Sequence, residues 1–181
     1  MNPPRPRRWA SVVLVAALGL VGAACTSAPG SAVHDPYVST SPPKLAGGPS
    51  DERLKLLHGS LGYRDARWEG VDAAALVEVI EHLEPERLPA LEKVVFGAAR
   101  PATVVVTTPN AEYNALFPNM AAGAFRHPDH RFEWTRAQFE GWASGVAKAH
   151  GYEVAFGNIG SIDVTHGAPT QMGIFTKASA A

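Results

Sequence analysis

The chain has 181 residues, a length that predicts one domain, or one domain with an appendage. Hydrophobic residues make up 46% and charged residues 18%, as in an ordinary globular protein. The formal net charge of -1 excludes a global positive field that would attract nucleic acid, so any such contact must be local or limited to a strand end. The single cysteine excludes an internal disulfide framework, whereas seven histidines provide potential metal ligands and proton carriers.

The N-terminal region has the pattern of an export signal. Residues 1–8 are basic, residues 9–24 are uncharged and mostly apolar, and Cys25 follows a Gly-Ala-Ala sequence. This pattern predicts an apolar helical segment over residues 1–25 that acts as a secretory or lipoprotein-like signal. Membrane attachment is expected only if that signal works, and a wrongly assigned start codon or a gene fusion is the alternative. Residues 26–50 are rich in Ser, Pro, Gly and Ala and predict a disordered, flexible linker.

Residues 51–181 have the pattern of a folded α/β domain, which begins with three short segments. Residues 54–61 predict a strand that ends in a Gly-Ser turn, and residues 72–79 are an apolar run that leads into a helix or turn. Residues 89–96 predict a helix that ends at Gly97.

The second half of the domain contains the clearest elements. The β-branched run at residues 103–108 predicts a buried strand that Pro109 ends. Residues 135–150 predict a helix, because Thr135 and Gln138 form a capping box and apolar residues follow at helical spacing. A strand pair is expected at residues 152–156 and 172–176. Alternating strands and helices predict a mainly parallel sheet with flanking helices.

The first group of residues with chemical potential is Glu78, Glu81 and His82. On a helix these three side chains would share one face, where two carboxylates and an imidazole repel and desolvate each other without a cation. The oxygen-rich set suits Mg²⁺ or Mn²⁺, and the nitrogen ligand favours Mn²⁺ or Co²⁺ over Mg²⁺. The alternative is a solvated helix face. The position directly after an apolar run favours a site, because open α/β sheets bind ligands at the carboxyl ends of their strands.

A histidine-containing loop precedes the capped helix. His127 or His130 could supply a further metal ligand from a distant part of the chain, or both could be loop hydrogen-bonders. Phe132 and Trp134 are expected to pack under the start of the helix. Glu133 is expected to serve the helix terminus.

A third group, at residues 107–114, follows the β-branched strand. Its polar side chains could line a substrate pocket, and a Pro-Asn turn explains them equally well.

Several separated blocks, in order, resemble the bacterial small-RNA 3'-terminal ribose 2'-O-methyltransferases. The resemblance covers roughly residues 53–176, and its blocks are residues 57–61 (LHGSL), 63–65 (YRD), 78–83 (EVIEHL), 105–114 (VVTTPNAEYN) and 127–135 (HPDHRFEWT). It implies a class I, Rossmann-like, S-adenosylmethionine-dependent methyltransferase with a metal held by two Glu and two His. Carried onto this sequence, the metal ligands are Glu78, Glu81, His82 and His130, with His127 as the alternative to His130.

The resemblance also implies a substrate and a mechanism. The metal, Mg²⁺ or Mn²⁺, would bind the 2'- and 3'-hydroxyls at the 3' end of a small or single-stranded RNA, and DNA lacks the first of these. Coordination would lower the pKa of the 2'-hydroxyl. An imidazole or carboxylate of the cluster, His82 or Glu81, would take the proton.

The sequence departs from this family in its N-terminal part. Residues 1–51 contain no Gly-rich cofactor turn after a strand, and only Ser60 stands where the family would touch the adenine. We therefore expect a partial catalytic sheet that lacks its first β-α-β portion, with a second chain as a partner that supplies the missing half. Alone, the chain should methylate RNA poorly or not at all. The alternative function is an exported or lipid-anchored, non-catalytic metal-binding remnant; family chemistry would be cytoplasmic.

Overall fold

A computed structural model of the protein describes residues 59–178 and the backbone of residues 12–16. Five strands form one sheet in the spatial order β1-β2-β3-β5-β4, where the strands are β1 (Val12–Ala16), β2 (Ala73–Val77), β3 (Thr103–Pro109), β4 (Tyr152–Ile159) and β5 (Thr170–Lys177). The first three strands are parallel, and β5 is antiparallel to both β3 and β4. The expected mainly parallel sheet is confirmed, since four of the five described strands run in the same direction. Only β5 is reversed, because β4 and β5 follow each other without a crossover helix and pair as a hairpin.

The N-terminal apolar segment contains a strand where the sequence predicts a helix. Residues 12–16 pair in parallel with β2, from Val12 opposite Ala73 to Ala16 opposite Val77. Three of these five residues are valine, whose branched Cβ favours a strand, and β2 offers an edge with backbone groups to pair. The helical prediction is wrong at this point. The signal and linker predictions for residues 17–50 lie outside the described residues, and the export function stays a prediction.

Two helical segments flank the sheet. The first, α1 (Leu88–Glu92), continues as a π-helix (Lys93–Ala99), and the second is α2 (Arg136–His150). The core lies between these helices and the central strands, and its largest fully buried apolar side chains are Phe96, Phe139, Phe175, Leu76, Ile80 and Leu91. Within residues 59–178, no helix has the length and apolar character needed to cross a membrane.

Most boundaries agree with the sequence, and two do not. The strand at residues 103–108, the capped helix at residues 135–150 and the C-terminal strand pair are confirmed. The first helix does not end at Gly97 but at Arg100, which adopts the left-handed conformation. Gly97 therefore lies inside the π-helix and does not end it. In the strand predicted at residues 54–61, residues 59 and 60 are not part of a strand, a turn begins at Leu61, and the others lie outside the described residues.

The sheet topology brings two strand ends together. Because β2 and β3 are parallel and Val77 lies opposite Thr107, both strands end at the same edge of the sheet. This edge therefore carries Glu78 and the polar residues that begin with Thr107.

Candidate functional site

The β2 strand ends in a tight turn at Glu78. This residue has a left-handed backbone conformation, with φ of 51°. Its backbone N–H donates to the carbonyl oxygen of Thr107 and to Oγ1 of the same residue, at 3.2 and 3.1 Å. Since this pairing keeps Glu78 at the sheet edge, helical geometry begins only with the short 3₁₀ segment Ile80–His82. The prediction that Glu78, Glu81 and His82 share one helix face is therefore wrong.

Glu81 is fully buried and only half satisfied. Its Oε2 accepts a hydrogen bond from Thr108 Oγ1 at 2.9 Å, whereas its Oε1 has no hydrogen-bond partner. Burial raises the pKa of Glu81 to about 7, and the negative charges of Glu78 and Glu133 add to this effect. A buried carboxyl oxygen without a partner is costly, so this atom marks a place where a cation or a hydrogen-bond donor would be stabilising.

Three histidines converge, and one of them, His82, directly follows Glu81 in the chain. His82, His127 and His130 each place one ring nitrogen within 4.8 Å of the other two, and the carboxylates of Glu78 and Glu81 do not belong to this group. The loop that carries His127 and His130 is attached to the 3₁₀ segment Ile80–His82, because the N–H of Arg131 donates to the Glu81 carbonyl oxygen at 2.7 Å. The structure thus joins a loop histidine to His82 across 48 residues of sequence.

Hydrogen bonds to the Nδ1 atoms divide the three imidazoles into two kinds. His82 Nδ1–H donates to Asp129 Oδ2 at 3.0 Å, and His130 Nδ1–H donates to Glu133 Oε1 at 2.5 Å. In both neutral rings Nε2 then keeps its lone pair. His127 differs, because its Nδ1 accepts the backbone N–H of Asp129 at 3.1 Å and the neutral ring carries its proton on Nε2. Only His82 and His130 therefore present Nε2 as a potential metal ligand without a change of tautomer.

Glu133 holds the loop rather than the helix terminus. Its buried carboxylate accepts hydrogen bonds from the backbone N–H of Arg126 at 2.7 Å and from Asn114 Nδ2 at 2.5 Å, besides the bond from His130. The assignment of Glu133 to the helix end is wrong because Thr135 and Gln138 already satisfy that end through a complete capping box.

Arg126 is a structural residue that the sequence did not single out. Its guanidinium donates to Asn114 Oδ1 and Pro169 O, both at 2.6 Å, and to Asn110 O at 2.5 Å. It therefore ties the histidine loop to the end of β3 and to the β4–β5 loop. Burial lowers the pKa of Arg126, while nearby carboxylates, Glu133 foremost, oppose this effect. Nothing in the sequence distinguishes this arginine from its neighbours before the fold is known.

The polar residues after β3 have two different roles. The hydroxyls of Thr107 and Thr108 donate to the carboxylates of Glu78 and Glu81, both at 2.9 Å. Asn110 instead forms the turn: its Oδ1 accepts the N–H of Glu112, and its Nδ2 donates to two carbonyl oxygens of the β4–β5 loop. The sequence allows two interpretations of residues 107–114, a substrate pocket or a Pro-Asn turn. The contacts of Asn110 are those of a turn.

The aromatic residues of the histidine loop pack as expected. Phe132 is buried, and its ring stacks on that of Trp134 with 4.4 Å between centroids. Trp134 in turn packs against the core next to Trp142 of α2. These rings fix the loop under the start of the helix.

Sequence and structure comparisons give consistent results. No protein-family model matches the chain. The mouse small RNA 2'-O-methyltransferase is 43% identical over 130 residues, which are 70% of this chain and 32% of the mouse protein. The methyltransferase domain of a bacterial Hen1, CtHen1, is 54% identical, with a TM-score of 0.62 over 70% of this chain and 63% of that one. A solved small RNA methyltransferase HEN1 is 37% identical, with a TM-score of 0.62, over 68% of this chain and 16% of that one.

The matched part of the chain is homologous to the small RNA 2'-O-methyltransferases. The resemblance seen in the sequence is therefore confirmed, as is the mixed α/β, Rossmann-like fold. The chain spans about a third of the length of the mouse protein it matches.

Ser60 is the residue expected to contact the methyl donor, and it is exposed, directly before a turn. Its Oγ accepts the backbone N–H of Gly62 at 3.2 Å. A cavity of about 290 Å³ lies elsewhere, between the start of α2 and the β4–β5 loop, and none of the predicted site residues lines it. The role of Ser60 stays a prediction.

Proposed function

We propose that this domain transfers a methyl group from S-adenosylmethionine to the 2'-oxygen of the 3'-terminal ribose of small or single-stranded RNA. One observation carries this proposal beyond homology: a buried, unpartnered oxygen of Glu81 lies in the segment that also carries His82 and that the histidine loop contacts. Together with the Nε2 atoms of His82 and His130, this oxygen makes a set of acceptors. It suits a divalent cation, which a metal-assisted transfer would use.

The residues present fit Mg²⁺ or Mn²⁺. We propose that Glu78, Glu81, His82 and His130 hold the ion. Carboxylate oxygens suit both ions, and imidazole nitrogens make Mn²⁺ the more comfortable of the two. His130 is preferred over His127 because its Nδ1–H is bound by Glu133, so that Nε2 is left as an acceptor. When bound, such an ion supplies Lewis acidity that lowers the pKa of a ribose hydroxyl.

The chain's own residues would bind and orient the ribose and accept its proton. Glu81 is the first proposed catalytic residue, and its buried carboxyl group is oriented by the hydroxyl of Thr108. His82 is the second proposed catalytic residue, and its contact with Asp129 fixes the ring orientation. A requirement for the 2'-hydroxyl would distinguish RNA from DNA. Contact with a strand end alone is compatible with the net charge of -1.

The methyl donor needs its own binding surface. We propose Ser60 as a contact on the donor side, because its exposed hydroxyl precedes β2. A second polypeptide with a Gly-rich donor turn is the proposed partner.

The test is methyl transfer by the full chain. Labelled S-adenosylmethionine, Mn²⁺ and a single-stranded RNA with a terminal 2',3'-diol are combined, with Glu81→Gln as the control protein and a 3'-deoxy RNA as the control substrate. We expect slow transfer that requires both the diol and Glu81, because positional control of the donor supplies a large share of the rate. Donor binding is measured separately by calorimetry.

Two results would contradict this function. Transfer that is equal for the diol and 3'-deoxy RNA would show that the terminal ribose is not the selected group. Binding of both Mn²⁺ and S-adenosylmethionine without any transfer would favour the alternative, a metal-binding domain without catalysis.

A further inference from the structure

We infer that Thr107 and Thr108 are positioning residues that orient the two carboxylates proposed as metal ligands. This inference rests on the proposed function. It concerns two adjacent hydroxyls at the carboxyl end of β3, each of which bonds to a different glutamate.

Thr107 makes a two-way contact with Glu78. Its Oγ1 accepts the Glu78 N–H at 3.1 Å and donates to Glu78 Oε1 at 2.9 Å. One hydroxyl thereby fixes both the backbone and the side chain of this residue. Glu78 has a φ of 51°, a conformation that is unfavourable for a residue with a Cβ and persists only where the surroundings impose it. The Thr107 hydroxyl is well placed to impose it.

Thr108 acts on the more deeply buried carboxylate. Its side chain is fully buried, and its Oγ1 donates to Glu81 Oε2. Because one oxygen is held in this way, the orientation of the whole carboxyl group is set, and the other oxygen, Oε1, is left without a partner. Adjacent residues of a strand point to opposite faces, so neither threonine can replace the other.

The simpler explanation is that these hydroxyls only satisfy buried acceptors and stabilise the fold. The two explanations differ in what depends on the hydroxyl. A structural role affects the unfolding of the metal-free protein, whereas a positioning role also affects metal affinity, because outer-shell partners of metal ligands typically contribute about 10–100-fold.

The experiment compares valine and serine at each position in the full chain. Valine keeps the branched shape and removes the hydroxyl, and serine keeps the hydroxyl and removes the methyl group. Mn²⁺ affinity is measured by isothermal titration with the metal salt alone, and thermal unfolding is measured in EDTA. Thr103→Val, at the opposite end of the same strand, is the matched control.

We expect Thr107→Val and Thr108→Val to bind Mn²⁺ about 10–100-fold more weakly and both serine variants to stay within about threefold of the wild type. Valine variants that bind as tightly as the wild type would overturn this inference alone. Serine variants as weak as the valine variants would also overturn it, since the methyl group would then be what matters. A wild type that binds no Mn²⁺ would overturn both this inference and the metal-assisted function. If Thr108→Val does not fold, Thr107→Val and the two serine variants decide the outcome.

Discussion

The two halves of the candidate site are built with opposite chemistry. On the strand side, the carboxylates of Glu78 and Glu81 are held by the neutral hydroxyls of β3. On the loop side, two carboxylates of the histidine loop, those of Asp129 and Glu133, hold the imidazoles of His82 and His130. Hydroxyl donors orient an anion without neutralising it, whereas carboxylate acceptors fix a neutral imidazole in one tautomer.

In spite of this difference, the two halves hold their proposed metal ligands in the same way. Each proposed ligand is oriented through one atom, and at Glu81 the other carboxyl oxygen has no partner at all. Burial raises the pKa of Glu81, and the negative charges of Glu78 and Glu133 raise it further, so negative charge is crowded around this group. Such a site is unfavourable without a cation, and substitutions on the two sides should therefore have different effects on stability and on metal affinity.

The largest effect is expected from Glu81→Gln. Glutamine keeps the size of the side chain and removes the charge, so Mn²⁺ affinity should fall by more than about 100-fold, beyond the range typical of outer-shell partners. Isothermal titration of the full chain measures this. Glu84→Gln, an exposed carboxylate on the same segment, is the control and should bind as the wild type does.

The same variant should change the pH dependence of stability. Burial raises the pKa of Glu81 from an ordinary 4.5 to about 7, so the folded state holds this proton more tightly than the unfolded state. Stability from this group is fully present below pH 4.5 and is lost as the pH rises through about 7. Metal-free wild type should lose up to about 3 kcal/mol of unfolding free energy across this window, and Glu81→Gln should not. Urea unfolding in EDTA is the measurement, and parallel pH profiles would contradict this account of Glu81.

The next effect separates the two loop histidines. His130→Ala removes a ring whose Nε2 is an acceptor and should weaken Mn²⁺ binding by about 100-fold, whereas His127→Ala removes a ring with its proton on Nε2 and should change it by less than about threefold. Both variants are titrated at the same pH. A larger loss with His127→Ala would reverse the ligand assignment.

A smaller effect is expected from the carboxylates behind the imidazoles. Glu133→Gln should weaken Mn²⁺ binding by about 10–100-fold and also destabilise the fold, because Glu133 is buried and accepts three hydrogen bonds. Asp129→Asn should have a weaker effect on both, because the Asp129 side chain is 45% exposed. Equal effects would mean that burial of the carboxylate is unimportant for holding the ring.

Local patterns were sufficient to predict much of the fold. The β-branched run before Pro109 and the Thr135–Gln138 capping box act within a few residues, and both elements were predicted nearly to the residue. The strand at residues 12–16 was missed because a valine-rich run fits a signal helix equally well until the edge of β2 is available for pairing.

The site was predictable in its residue types but not in its geometry. Glu78, Glu81 and His82 were identified by spacing, yet the helix face invoked for them does not exist, because Thr107 holds Glu78 at the sheet edge. Glu133 was assigned to the helix end because only its position along the chain was visible. Its partners, His130 and Arg126, come together only when the loop folds back on itself.

The smallest effect tests whether the site depends on its own hydrogen bonds or on the helix that follows. Thr135 Oγ1 accepts the N–H of Gln138 at 3.3 Å, and Gln138 Oε1 accepts the N–H of Thr135 at 2.9 Å, two residues after Glu133. Thr135→Ala removes the first bond and should lower the unfolding free energy by about 1 kcal/mol, as is typical for loss of an N-cap. Glu133 is held separately, by Asn114 and the backbone of Arg126, so Mn²⁺ affinity should stay within about twofold of the wild type. Urea unfolding and isothermal titration of the same protein give both quantities. If Mn²⁺ affinity instead fell by about tenfold or more, the start of α2 would be what positions Glu133 and His130. The loop side of the site would then depend on the helix, whereas the strand side depends on the hydroxyls of β3.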